Sequence, residues 1–436
     1  MGCAGSKGSS NTMNNPPSSP PEDIDEEIYE ETQKRASFTQ NNIVNDGRTE
    51  HNAKSQDMVI DGYSFQYACV SKRGNYPDQP NKPNQDSYCA IPYLTEKAGR
   101  YCIYVTHMQT FYVCLKMTQH YYYRTHRIIL FCLGFFAVFD GHGDEGHSCA
   151  WYARDTLPAR LLEAIAGNEE NCEEIVKKAH IDTNAALHKD ANINDKMSGT
   201  TAVSFMITPG RKVLINNVGD SRAMIISDVG GTLTGKPLSN DQTPYRRDER
   251  ERCKAAGARI RTMGQLDSPD PVDESEWDKM NLLDEIDLEG DPPRVWLPKD
   301  RLPGCAFTRS IGDSVAERVG CYAEPEIDRM NLTNDDKYLI LASDGVFEFI
   351  KISEITDMVS KIKDPLACCK AIVEDAYNRW MNYEGRSDDI TIIILACGGA
   401  SVDGIDPSLI TLSESLSNDR VNTKARGRKS LAVGGV

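Results

Sequence analysis

The chain has 436 residues, 65 of them acidic and 49 Lys or Arg, for a formal charge of −16. That length buries a substantial core in one large domain or two ordinary ones, and that charge argues against a nucleic-acid-binding surface. The 14 cysteines form no CxxC pair or regular framework and no secretory leader opens the chain, so buried thiols in a reducing intracellular setting are expected.

Residues 1–58 are poor in apolar side chains and rich in Ser, Asn, Pro and acid, which predicts a disordered leader. Its first residues, Met1-Gly2-Cys3-Ala4-Gly5-Ser6, fit the signal for myristoylation of Gly2, with Cys3 placed for palmitoylation. One acyl chain binds membranes marginally and two bind stably. The expectation is therefore a lipid anchor at the cytoplasmic face of a membrane, with a cytoplasmic pool. Ser37 in "KRASF" and Ser430 in "RKSL" follow basic residues in the two tails and are candidate kinase sites.

From residue 59 to 398 the texture changes to short apolar runs punctuated by Gly, Asp and Asn. "FFAVF", "TAVSFMI", "KVLINNV", "AMIIS", "YLILAS" and "ITIIILA" read as strands, some in hairpin-like pairs. "GHSCAWYARDTLPARLLEAI", "EEIVKKAHIDTNAALHKDA" and "RRDERERCKAAG" have helical periodicity. Paired strands with helices in blocks favour α+β over alternating α/β. The run Ile128–Phe139 is 12 apolar residues long, too short to span a bilayer, which needs roughly 20, so it is expected to end in a core strand.

Two segments look like insertions. Leu266 to Asp291 carries eleven acids against one lysine and reads as a solvated surface loop; repulsion of acidic substrates is expected from it. Gly99 to Gly134 holds no acid at all and three of the eight histidines, at spacings that match no metal template. Its break in composition marks it as foreign to its surroundings, as a retained intron is. Residues 399–436 form a flexible basic tail.

Four apolar strands end on or begin from acid: "AVFDGHG" at Asp140, "NNVGDSR" at Asp220, "LILASDG" at Asp344, and "SDDITIII" at Asp388 and Asp389. Carboxylates gathered at strand ends repel one another unless a cation joins them, and oxygen-only ligands select Mg²⁺ or Mn²⁺ over zinc.

With "NQDSY", "SGTTAV" and "AFTRSIGD", these motifs occur in the order found in type 2C metal-dependent serine/threonine protein phosphatases, which the chain resembles from about Tyr63 to Ala396. The resemblance implies a four-layer α-β-β-α sandwich, two antiparallel sheets flanked by helices, with a two-metal site at one end. Carried over, Asp140 bridges two Mg²⁺ or Mn²⁺ ions, Gly141 offers its carbonyl, and Asp344 and Asp388 complete the set. Asp86 binds through water, and Asp220 helps hold a third, weaker ion. The family's Glu-Asp pair is Gln85-Asp86 here, which removes a charge and lowers the expected metal affinity.

Two such ions activate a water and neutralise the phosphoryl oxygens, and the water attacks phosphorus with no covalent intermediate. In keeping with this, no cysteine begins a Gly-rich Cys-x₅-Arg loop. His142 is the natural general acid for the departing alkoxide. The family's phosphate-binding arginine falls at Asn81, so Arg73 in "SKRGNYP" is the nearest candidate, and Thr308-Arg309-Ser310 reads as structural support. The expected protein is a monomeric, membrane-tethered phosphatase acting on phosphoproteins. The competing reading is an inactive phosphatase-like scaffold, in which the Gly99–Gly134 segment displaces Asp140. A metal-dependent nuclease lacks a basic groove.

Overall fold

The longest apolar runs become strands whose two faces are both covered. In the computed structural model, which describes residues 43–94, 133–280 and 291–398 apart from 46–48, 53, 61–62, 168–171 and 209, plus residues 24, 29, 30 and 32, the first strands are β1 (Ile43–Asn45), β2 (Thr49–Asn52), β3 (Gln56–Ile60), β4 (Tyr63–Lys72), β5 (Asp86–Leu94) and β6 (Leu133–His142). Next come β7 (Gly199–Thr200), β8 (Ala202–Thr208), β9 (Lys212–Val218), β10 (Arg222–Val229), β11 (Thr232–Pro237) and β12 (Arg259–Arg261). The last are β13 (Arg294–Trp296), β14 (Pro303–Cys305), β15 (Ile311–Gly312), β16 (Glu326–Asn331), β17 (Asp336–Ala342) and β18 (Ile390–Cys397). The helices are α1 (Gly146–Gly167), α2 (Cys172–Leu187), α3 (Arg247–Ala255), α4 (Ser314–Glu317), α5 (Asp344–Phe347), α6 (Ile352–Lys361) and α7 (Pro365–Tyr383).

One antiparallel sheet has the order β1-β2-β4-β18-β17-β10-β11 with β3 also on β4, and a second has β15-β7-β6-β8-β9-β16 with β5 on β6. Side chains alternate between two cores. In β18, Ile393 and Leu395 enter the space between the sheets, while Ile392 and Ile394 meet the helical layer with Ile355 of α6 and Ile372 of α7. In β6, Phe136 and Val138 face the other sheet, while Phe135, Ala137 and Phe139 pack under α1 with Leu157 and Leu161. Each such large apolar side chain contributes about 1.5–3 kcal/mol on full burial. This is the expected four-layer α-β-β-α sandwich. No described helix is long and apolar enough to cross a membrane, and the described end of the apolar run lies in β6. The described cysteines are all free and, apart from Cys172, buried.

Two sequence expectations need correction. The domain does not start at residue 59, because β1, β2 and the start of β3 already belong to the first sheet, and Ile24 and Tyr29 are buried against Ala159 of α1. These edge strands carry few apolar residues; their ladder is made by backbone groups, which composition does not reveal. The acidic segment is not simply a solvated loop either. Within its described part, Trp277 is buried, and Glu274 and Asp278 both pair with the buried Arg250. Asp291 accepts from the Met263 and Gly264 amides at 2.9 and 3.0 Å.

Residues 95–132, most of the other insertion, lie outside the described residues, as do Gly2, Cys3, Ser37 and Ser430. Its two flanks are informative. Leu94 and Leu133 are partners across β5 and β6, at the opposite end of the ladder from the Asp86–Asp140 pair. The eight steps from Asp86 to Leu94 at roughly 3.4 Å each put the ends of the ladder from which the insertion departs about 27 Å from those acids.

Candidate active site

The end of β6 is fastened on both sides before it reaches its functional residues. Asp140 donates its amide to Thr201 Oγ1 at 3.0 Å and accepts from the Thr201 amide at 2.9 Å. Gly141 donates to the Gln85 carbonyl at 3.2 Å. A side chain at Gly141 has no room, since its Cβ would lie 2.3 Å from the Gly146 carbonyl oxygen. Gly143 turns the chain at φ +83°, a left-handed conformation that favours glycine. Gln85 Nε2 donates to the Gly143 carbonyl at 2.5 Å, so the glutamine that stands for an acid helps hold this turn.

Four other segments bring their acids to the same place. Asp86 pairs directly with Asp140 in the β5–β6 ladder, and Asp344 opens α5 immediately after β17. Asp86, Asp344 and Asp388 all act electrostatically on Asp140, and Asp220 acts on both Asp344 and His142. The two adjacent acids before β18 divide their work. Asp389 spends both carboxylate oxygens on backbone amides, Gly74 at 2.6 Å and Gln85 at 2.8 Å. Among the described residues, Asp388 accepts only at Oδ1, from the Tyr76 hydroxyl at 2.5 Å and the Asp389 amide at 2.8 Å.

The electrostatics are those of a crowded carboxylate cluster. Burial, then the neighbouring Asp344 and Asp86, push Asp140 far above the ordinary carboxylate range. Burial and Asp220 do the same to Asp344. Asp86 is raised to about 8 by burial and Asp389, and Asp220 to about 6 by burial and Asp241. Asp86 Oδ2 accepts from Ser343 Oγ at 2.8 Å, but its Oδ1 is buried with no hydrogen-bond partner among the described residues. An orphaned carboxylate oxygen among raised carboxyls fits a hard divalent cation.

A second carboxylate group, Asp248, Glu249 and Glu326, also has its oxygens close together. It is neutralised instead by Arg246, Arg252 and Arg309, which donate to it in bidentate fashion. The one Cys-x₅-Arg spacing in the chain, Cys253 to Arg259, is no phosphate loop. Cys253 lies on the buried face of α3, its thiol held far above its usual pKa by Cys321 and by burial.

A family profile described as protein phosphatase 2C matches residues 132–382. The chain belongs to the protein phosphatase 2C family. It is thus a metal-dependent hydrolase of the protein serine/threonine phosphatase class, a family that depends on Mg²⁺ or Mn²⁺ and acts on phosphoproteins. The chain is 36% identical over 336 residues to Probable protein phosphatase 2C 35 of Arabidopsis thaliana, covering 76% of this chain and 84% of that one. It is 31% identical over 272 residues to Probable protein phosphatase 2C 72 of the same organism, covering 59% and 75%. The solved serine-threonine phosphatase 2C from Toxoplasma gondii shares the fold, with a TM-score of 0.56 at 14% identity over 80% of this chain and 99% of that one. The profile match contains Asp140, His142, Asp220 and Asp344, whereas Asp86 and Asp388 lie on either side of it.

Other residues of the "AFTRSIGD" loop also meet the site. Asp313, inside "AFTRSIGD", accepts from His142 Nε2 at 2.5 Å and from Ser310 Oγ at 2.6 Å. Burial alone would lower the His142 pKa, but Asp313 lifts it above its usual value. Phe307 packs against the imidazole with ring centroids 4.3 Å apart. Arg309 and Thr308 both bind Glu249, at 2.7 and 2.6 Å, and support this loop as expected. Arg73 does not reach into the acid cluster with its described bond, since Nη2 donates to the Pro80 carbonyl of its own loop.

Proposed function

We propose that this phosphatase hydrolyses phosphoserine and phosphothreonine esters at a two-ion centre formed by Asp86, Asp140, the Gly141 carbonyl, Asp344 and Asp388, with Asp220 holding a third, weaker ion. The observation that carries this reading is the cluster itself: four carboxylates delivered by rigid elements, whose described partners are hydroxyls, backbone amides and one another. When bound, Mg²⁺ or Mn²⁺ ions activate water and neutralise phosphoryl oxygens. His142 gives its proton to the departing serine or threonine alkoxide, and Asp313 fixes the ring and favours its protonated form. Attack by water needs no cysteine nucleophile, in keeping with the burial of Cys253.

The scaffold reading rested on displacement of the Asp140 strand. Against it, β6 is continuous to His142, and the insertion joins at the far end of the hairpin. Acylation of Gly2 and Cys3 would tether the enzyme, as a monomer, to the cytoplasmic face of a membrane and concentrate it on substrates there. Release of inorganic phosphate from a phosphothreonine peptide tests the catalytic reading. Turnover with Mn²⁺, its loss in EDTA and its loss in Asp140→Asn are expected. A folded wild-type chain without metal-dependent turnover would overturn it.

A further inference from the structure

The loop from β4 to β5 is bound to the acid cluster at both ends, through Gly74 and Tyr76 at its start and Gln85 at its close. Gly74 is fastened to Asp389, and Asn75 and Ser387 exchange backbone hydrogen bonds at 3.1 and 3.0 Å. Two successive turns, from the Gln79 amide to the Tyr76 carbonyl and from the Lys82 amide to the Gln79 carbonyl, each 3.0 Å, fold the loop back over Tyr76. The Tyr76 hydroxyl donates to Asp388, and Lys82 Nζ sits 3.9 Å from the centroid of the same ring. One aromatic ring therefore has a proposed metal ligand at its hydroxyl and an ammonium on its face. Lys82 is close enough to Asp389 to counter the rise of that carboxyl's pKa.

We propose that Lys82 is the cation that receives the phosphoryl group of the substrate and the phosphate product, the task expected of Arg73. This rests on the two-ion reading above. The ring contact fixes the ammonium without using its three N–H donors, and Lys82 makes no hydrogen bond or ion pair with any described carboxylate. Arg73, by contrast, spends a guanidinium donor on the Pro80 carbonyl. A lysine offers a compact point charge where an arginine offers a planar fork, so it accepts a phosphoryl group in more than one orientation. Asn81, one residue earlier, has no charge to offer.

The test compares full-length wild type, Lys82→Gln, Lys82→Arg and Arg73→Gln. It measures KM and kcat on a phosphothreonine peptide, inhibition by inorganic phosphate, and calorimetric binding of Mn²⁺ and of phosphate to the Mn²⁺-loaded protein. Lys82→Gln is expected to weaken both KM and phosphate binding by about ten- to a hundredfold, the range for a lost charge-assisted hydrogen bond. Mn²⁺ affinity should hold, and Lys82→Arg should recover most of the loss. Unchanged phosphate constants in Lys82→Gln overturn the proposal, as does a loss seen only in Arg73→Gln. A fall in Mn²⁺ binding that accounts for the phosphate effect also overturns it, since Lys82 would then act through the metal site. A wild-type chain without turnover removes the two-ion reading and this inference together; turnover indifferent to Lys82 removes this inference alone.

Discussion

His142 meets Asp313 across 171 residues of chain, in a contact completed by Ser310 and Phe307. Because Asp313 only orients and charges the ring, Asp313→Asn is expected to lower kcat about ten- to a hundredfold with KM nearly unchanged. An equal change in KM would show that the loop had moved instead. His188 makes a separate prediction, away from the reaction. It lies between Asp195 and Glu317, and their hydrogen bonds raise its pKa from 6.5 to about 9. A raised folded pKa means stability that is present in full below about pH 6.5 and is lost as pH rises through about 9. His188→Gln should therefore cost on the order of 2 kcal/mol at pH 6 and flatten the decline in urea midpoint between those pH values. An unaltered slope would contradict the pairing.

At the scale of elements, the strands that carry the acids were legible because burial on both faces leaves an unbroken apolar run, and the acid that stops the run stands out. That reasoning found β6, β8, β9, β10, β17 and β18 and the Asp residues beside them. It did not find β1 and β2, edge strands with partly polar sequences, nor the pairing of His142 with Asp313, which depends on where two distant loops meet. The split between Asp388 and Asp389 could be stated from the motif, but its cause, the Gly74 and Gln85 amides on Asp389, appears only in the folded chain. The anchoring of the acidic segment was hidden for a related reason: charge in the sequence does not show that Arg250 lies buried beneath it. Trp277, stacked beside Arg250 with 5.6 Å between guanidinium and ring centroid, anchors the segment. Trp277→Ala is expected to cost about 3 kcal/mol in denaturant unfolding. A cost below about 1 kcal/mol would return the segment to the status of a loose surface loop.

For the whole molecule, the insertion and the acylation signal make independent predictions. Since Leu94 and Leu133 are partners, replacing residues 95–132 with a two-residue Asn-Gly turn should leave kcat/KM within about threefold of wild type. Loss of activity with retained folding would show that the segment acts on the site. Gly2→Ala should move the protein from the membrane to the soluble fraction, and unchanged partitioning would contradict the tether. Counting bound Mn²⁺ by equilibrium dialysis is the first test of the proposal that four carboxylates from distant parts of the chain make one two-ion centre. About two tightly bound ions per wild-type chain are expected, and loss of both in a folded Asp140→Asn variant. A wild type that binds no Mn²⁺, or an Asp140→Asn variant that keeps both ions, would contradict it.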